Sequence, residues 1–148
     1  MKYLSLLLIM VLSACGGSTS SDGDATTLAD IVGVWDETET DENGTDESYL
    51  VFTASGDLTI YDYQGDSYDM GENCYEKEML IITDQGSGIF SITDAQETED
   101  PFSVALSLSS DRITATFTDD GVSESNSNIV RTDRLESSFT PLCEEEAN

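Results

Sequence analysis

The stretch 102–118, FSVALSLSSDRITATFT, decides the fold of this chain. From Phe102 to Leu108 every second residue is apolar, and the same alternation returns from Ile113 to Phe117 after a short polar turn. A period of two is typical of a strand that turns one face to the core and the other to water. The stretch therefore predicts two consecutive antiparallel strands joined by a tight turn.

Outward from this stretch, turn signals separate short strand-like segments along most of the chain. Asn43-Gly44 suits the positive φ angles of a tight hairpin, and glycine-containing turns recur at 55–57, 85–88 and 119–121. The segment 64–73 is predicted to be a loop. The predicted strands are 32–38, 48–54, 58–63, 79–83, 89–93, 102–109, 112–118 and 128–132.

Short antiparallel strands joined by tight turns predict an all-β fold. We expect an up-and-down meander of about eight strands that closes into a small barrel, with a β-sandwich as the alternative, since both protect strand edges. Thr27 is expected to cap one short helical turn before the first strand. No longer helix is predicted after residue 27.

The amino terminus has the pattern of an export signal. Lys2 precedes an apolar run from Tyr3 to Leu12 that contains only Ser5 as a non-apolar residue, which is too short to cross a bilayer as a helix. The run ends in LSAC at Cys15 and resembles the lipobox of bacterial lipoproteins. An ordinary secretory signal is the alternative; a buried helix is disfavoured because the small polar segment 16–21 follows at once.

The lipoprotein resemblance implies a domain organisation and a location. Residues 1–14 would be the signal peptide, Cys15 the lipidated residue, and 15–27 a flexible linker to the β-domain at 28–143, which an acidic tail at 144–148 follows. The membrane would be the partner, and the acyl chains on Cys15 would anchor the protein to it. Gly16 in place of an aspartate after the lipidated cysteine favours the outer membrane of the bacterial cell envelope, with the leaflet left open.

Charge and composition exclude several function classes. The chain has 5 Lys and Arg against 31 Asp and Glu, for a net charge of −26, so we expect no nucleic-acid partner and no attraction to anionic lipid. The sequence has no histidine to act as a general base and no Gly-x-Ser-x-Gly motif. We therefore expect a protein without catalytic activity.

Two cysteines are left if Cys15 carries the lipid. An exported compartment permits a disulfide between Cys74 and Cys143. Unpaired buried thiols are the alternative, and two thiolates without histidine do not complete a zinc site. We expect the disulfide.

The start of the β-domain resembles a known family. Gly33-Val34-Trp35, placed after a short helical turn and at the head of a meander, is similar to the Gly-x-Trp start of lipocalins and of lipocalin-like domains in bacterial lipoproteins. The resemblance implies that a late arginine packs across Trp35. Arg131 and Arg134 are the candidates, and Arg131 is expected to form the structural pair.

Aromatic residues are concentrated in the first half of the domain, and they have two interpretations. They either line a pocket for a small apolar or amphipathic ligand or simply fill the barrel. The candidate ligand-binding residues are Trp35, Phe52, Tyr61 and Tyr63. Binding of such a ligand inside the lipocalin-like barrel is the expected function. The alternative is a structural or accessory lipoprotein that contacts envelope proteins and is stabilised by calcium.

The acidic turn at 36–47 is the one place where the sequence suggests a metal. It carries seven carboxylates, and Ca²⁺ prefers such oxygen ligands. Asp41, Asn43 and Asp46 are the candidate ligands, and a solvated acidic hairpin without metal is the alternative. No other cofactor is expected.

Overall fold

The computed structural model describes residues 25–40, 42, 44–65, 73–94, 100–119 and 122–143, and it is nearly all β. Five short elements come first along the chain: α1 (Leu28–Ile31), β1 (Gly33–Asp36), β2 (Glu39–Thr40), β3 (Thr45–Asp46) and β4 (Ser48–Phe52). The longer strands come next: β5 (Asp57–Gln64), β6 (Cys74–Gly86), β7 (Ile89–Asp94), β8 (Phe102–Ser109), β9 (Arg112–Asp119) and β10 (Val122–Thr132). A 3₁₀ turn follows at Glu136–Ser138.

Eight of these strands form a closed antiparallel barrel, which confirms the predicted fold class. From β4 to β10 each strand pairs with the next along the chain, and β1 closes the ring between β4 and β10. The remaining two strands, β2 and β3, form a separate two-stranded ladder within the connection from β1 to β4. None of the helices in the described residues is long and apolar enough to cross a membrane.

Two strands are longer than the sequence predicted. β6 begins at Cys74 instead of residue 79, and β10 begins at Val122 instead of residue 128. Most of the added residues are polar and show little strand propensity, but the two segments pair with the antiparallel strands β5 and β9 respectively, with an irregularity in β10 after Asn126. Pairing with a neighbouring strand therefore overrides weak local propensity.

Apolar and polar residues alternate along the strands, and the inward-pointing apolar side chains fill the barrel. The alternation predicted for β8 and β9 is present, because Val104, Leu106, Ile113 and Ala115 are buried in one cluster. The cluster continues across the other strands through Trp35, Leu50, Phe52, Leu58, Leu80, Ile82, Phe90, Ile92 and Ile129, each at most 8% exposed.

Trp35 and Arg131 seal one end of the barrel together with α1. The Trp35 indole Nε1 donates a 2.7 Å hydrogen bond to the Ile31 carbonyl oxygen, and the Arg131 guanidinium carbon lies 4.3 Å from the centroid of the indole ring. The same guanidinium donates 3.0 Å hydrogen bonds to the carbonyl oxygens of Val32 and Asp30. The arginine expected from the resemblance thus lies on the tryptophan, and we call this the closed end.

A second apolar cluster lies on the outside of the barrel, under the carboxyl-terminal segment. Phe139 is 2% exposed, and its ring lies 4.6 Å from that of Tyr61, 4.8 Å from that of Tyr49 and 5.4 Å from that of Tyr75. Residues 133–143, which we call the strap, therefore cover the tyrosines of β4, β5 and β6.

The strap is fixed covalently and by hydrogen bonds. Cys143 forms the predicted disulfide with Cys74, and the Cys143 backbone N–H donates to the Tyr75 carbonyl oxygen at 2.9 Å. Arg134 forms a 3.0 Å ion pair with Glu47 and donates a 2.8 Å hydrogen bond to the Tyr75 hydroxyl, which itself donates to Glu47. Burial and the bond to Glu47 raise the pKa of Tyr75 to about 12.

Candidate functional site at the open end of the barrel

The end opposite Trp35 differs from the closed end because two inward-facing phenylalanines remain exposed there. Phe117 pairs with the buried Val104 across β8 and β9, and Phe102 lies two residues from Val104, so both rings belong to the interior face. Phe102 is nevertheless 46% exposed and Phe117 42% exposed. Their ring centroids are 6.3 Å apart. We call this the open end.

A valine extends the exposed apolar surface. Val122 pairs with Asp119, two residues beyond Phe117, and therefore lies on the same face of the β9–β10 hairpin. It is 65% exposed. Phe102, Phe117 and Val122 together form what we call the apolar wall, which is built by β8, β9 and β10. The exposed Glu124, which pairs with Phe117, lies on the same face.

Carboxylates occupy the equivalent face of the β5–β6 hairpin. Glu78 pairs with Ile60, whose side chain packs against the interior core, and Glu76 pairs with Asp62 on the same face. Glu76 and Glu78 are exposed, and Asp62 is half-buried. The three carboxylates form what we call the acidic wall.

The order of the strands places the two walls on opposite sides of the open end. Around the ring the order is β1, β10, β9, β8, β7, β6, β5, β4. The β5–β6 hairpin and the β9–β10 hairpin are thus separated by two strands in either direction. Because the exposed Glu124 pairs with Phe117 on the same face of the β9–β10 hairpin, carboxylates border the open end on both sides.

Glu37 lies next to these walls, after the end of β1. The Asn126 amide donates a 2.7 Å hydrogen bond to a Glu37 carboxylate oxygen. Burial raises the pKa of Glu37, as do the negative charges of Asp62 and Glu39, and these effects outweigh the bond from Asn126. Glu37 is thus a partly buried carboxylate whose nearest charged neighbours are other carboxylates.

The four residues predicted to bind a ligand do not lie together. Trp35 and Phe52 are buried in the interior, whereas Tyr61 and Tyr63 face outward and belong to the cluster under the strap. Sequence reasoning missed the apolar wall, because the alternation that identified Phe102 and Phe117 as inward-facing also suggested that they are buried. The available signal was their position at the strand ends, next to acidic turn sequences.

Three of the other predicted site residues, Cys15, Asp41 and Asn43, lie outside the described residues, together with residues 16–24 of the linker and the acidic tail. Asp46 is exposed on β3. Within the described residues no three histidine, cysteine or acidic side chains are grouped so that they could hold a metal ion. The outer cluster and the disulfide account for Tyr61, Tyr63, Cys74 and Cys143 as structural residues.

The site is thus a group of exposed apolar side chains bordered by carboxylates, at the end of a barrel whose interior is occupied by its own side chains. Comparison of the chain with protein-family models, curated proteins and solved structures finds no match.

Proposed function

We propose that this chain is a lipid-anchored protein of the bacterial cell envelope that binds a small apolar or amphipathic ligand and has no catalytic role. The ligand would lie at the open end of the barrel, against Phe102 and Phe117. The exposure of this pair of inward-facing rings carries the proposal. A contiguous apolar surface that a fold leaves exposed is typical of a binding site.

The packing of the interior limits where such a ligand would bind. Trp35, Phe52 and Phe90 are each at most 4% exposed, so their rings contact neighbouring side chains and not solvent. A ligand among them would have to displace core side chains at a cost of several kcal/mol. Binding at the open end needs no such displacement.

An NMR titration of the full chain with the neutral probe 4-phenylbutanol tests the binding site. We expect amide shifts at Phe102, Phe117 and Val122, and none at Trp35. Phe117→Ser should weaken binding by about five- to tenfold, because it removes about half of the aromatic contact. Met79→Ser is the matched control, since Met79 is 57% exposed on the outer face of β6. Shifts confined to the outer face, or equal effects of the two substitutions, would overturn the proposal.

The lipid anchor has its own test. Protein recovered from a bacterial host should begin at Cys15 and carry acyl chains in the mass spectrum. Cys15→Ser should leave the precursor uncleaved and without lipid. An unmodified Cys15 in the recovered protein would contradict this part of the proposal.

A second candidate function rests on an unpaired strand edge. β1 pairs with β10 only from Val130 to Thr132, so within the described residues the first half of β10 has a strand partner on the β9 side only. Such an edge can accept a strand from another protein. A photocrosslinker at Ser125 would then capture an envelope protein that a crosslinker at Ile81, which is paired with Asp57 of β5 and with Thr93 of β7, does not. Equal capture at both positions would reject this candidate.

A further inference from the structure

We propose that the outer face of β6–β9 is the side of the domain that turns toward the lipid bilayer once the chain is anchored at Cys15. This inference rests on the proposed function, because the acyl chains supply the tether. It follows from the distribution of charge over the barrel and from the place where the amino-terminal segment joins it.

The outward-pointing side chains of β6–β9 form one continuous surface, which we call the β6–β9 face. These side chains alternate along each strand with the buried ones of the interior cluster. The pairing of the strands aligns them in rows that run across the face. Two such rows are Thr83, Ser91 and Ser103, and Ile89, Ala105 and Thr116.

The charged side chains of this face are cations. Lys77 lies on it over the ring of Tyr61, and Arg112 lies on it opposite Ser109. The outward positions of β6–β9, from residue 75 to residue 83 and then to residue 118, are all described, and none of them is an aspartate or a glutamate. Since the chain has 31 acidic residues against 5 basic ones, this face differs in sign from the protein as a whole.

Each of the other sides of the barrel has exposed carboxylates. Glu78 and Glu124 border the open end, and Asp111 is exposed at the closed end. Glu136 is exposed on the strap, which covers the strands on the opposite side of the ring from β8. Anionic lipid headgroups would therefore repel each of these sides more strongly than the β6–β9 face.

The amino-terminal segment joins the barrel at the edge of the β6–β9 face. The Leu108 backbone N–H donates a 2.9 Å hydrogen bond to the Thr26 hydroxyl, and the Thr26 backbone nitrogen lies beside Gly88, in the turn before β7. The Leu28 backbone N–H then donates a 3.2 Å hydrogen bond to the Asp84 carboxylate of β6. The chain thus enters the domain against three of the four strands of this face.

The length of the tether keeps this edge close to the bilayer. The chain from Cys15 to Thr26 spans at most about 40 Å when fully extended. Because the domain cannot leave the surface, repulsion rotates it until its carboxylates point away from the headgroups. Met79, Ile81 and Ile89, each at least 39% exposed on the β6–β9 face, would then contact the headgroup region.

The acylated full chain in lipid nanodiscs tests the inference. The discs contain phosphatidylcholine, anionic phosphatidylglycerol and a lipid with a nitroxide on its headgroup, which broadens the NMR signals of nearby amides. We expect the amides of Ile81, Ala105 and Thr116 to broaden at least about threefold more than those of Glu136 and Ser138 on the strap, because one or two carboxylates near an anionic surface already produce a preference of that size.

Two double variants with equal charge changes test whether charge sets the orientation. Ser103→Asp/Ser107→Asp places two carboxylates at exposed positions of the β6–β9 face and should remove the difference. Leu135→Asp/Ser137→Asp adds the same charge at exposed positions of the strap and should retain it. Discs of phosphatidylcholine with the nitroxide lipid alone need no substitution, and the difference should decrease there.

The outcomes distinguish this inference from the proposed function. Equal broadening of the β6–β9 face and the strap in anionic discs would refute the inference, and so would broadening centred on Asp111. Equal effects of the two double variants, or an undiminished difference in zwitterionic discs, would refute the role of charge. Shifts of Ala105 and Thr116 that grow with protein concentration without lipid would assign the face to a second copy of the chain and also refute the inference. A recovered protein without acyl chains would instead refute the lipid anchor of the proposed function.

Discussion

Arg131 connects the last strand of the barrel to the first turn of the domain. Its guanidinium covers the Trp35 ring and bonds to two carbonyl oxygens, those of Val32 and Asp30. Each of these contacts is worth about 1 kcal/mol. Arg131 is therefore expected to be one of the more important single side chains for stability, although its own surface is exposed.

Replacing this arginine gives a direct measure of its contribution. Arg131→Met should lower the free energy of unfolding by about 1–3 kcal/mol, since it removes the cation and both hydrogen bonds. Urea unfolding followed by the fluorescence of the single tryptophan measures the loss. Arg112→Met is the control, because Arg112 donates one exposed hydrogen bond and contacts no aromatic ring. A loss no larger than that of the control would contradict the role of Arg131.

Glu37 predicts a pH dependence of stability. Because burial raises its pKa in the folded state, the folded protein binds the proton more tightly than the unfolded chain, and stability from this group increases as pH falls through the raised pKa. Glu37→Gln keeps an acceptor for Asn126 and removes the charge. The variant should be more stable than the parent by about 0.5 kcal/mol near neutral pH, and the difference should disappear in acid.

The check is urea unfolding of both proteins between about pH 4 and pH 7. Asp133→Asn serves as the control, since it removes the same charge from an exposed residue at the closed end. A constant difference across this range would show that the gain comes from the reduced net charge and not from the ionisation of Glu37.

Among the structural elements, the strap is where a single substitution is expected to cause the largest loss of stability. Phe139→Ala should destabilise the protein by about 2–4 kcal/mol, because it removes a buried ring stacked among three tyrosines. Trypsin should then cleave after Arg134 faster than in the parent protein, as the segment detaches from the outer face. Leu135→Ala is the matched control, since Leu135 is 69% exposed. Unchanged cleavage after Arg134 would mean that the disulfide and the polar contacts of Arg134 hold the strap without Phe139.

The order of the elements could largely be predicted from the sequence. The strands β8 and β9 and their turn follow from strict alternation, and the short helix before Trp35 follows from its threonine cap. The first half of β10 could not be predicted, because its Ser and Asn residues are typical of loops and become a strand only through pairing with β9. The same holds for the start of β6 opposite β5.

The candidate site could not be predicted from the sequence, because it depends on how the strands pair and close into a barrel. The sequence shows two tyrosines at positions 61 and 63. Whether their side chains point into the barrel or out of it is decided by how β5 pairs with β4 and β6. Phe139 is far away in sequence, so its cluster with these tyrosines leaves no local pattern. The arrangement of exposed rings and carboxylates around the open end depends on barrel closure, which a list of predicted strands does not contain.

At the scale of the whole molecule, repulsion among its many carboxylates should control stability. The net charge is −26, and screening reduces repulsion over distances beyond the Debye length of roughly 10 Å at 0.1 M salt. The urea midpoint should therefore rise between about 0.02 M and about 0.5 M NaCl. CaCl₂ at the same ionic strength should produce the same rise; a clearly larger one would favour the calcium site predicted at Asp41, Asn43 and Asp46.

The closing ladder of the barrel determines when the fold can be completed during synthesis. β1 emerges early, but one of its two partners, β10, follows almost a hundred positions later, so the nascent sheet keeps two unsealed borders while the intervening strands are produced. Unsealed borders invite association with other chains. Arrival of Val130–Thr132 seals the ring and in the same event carries Arg131 onto Trp35, so a polypeptide interrupted before that point would be both incomplete and prone to aggregate.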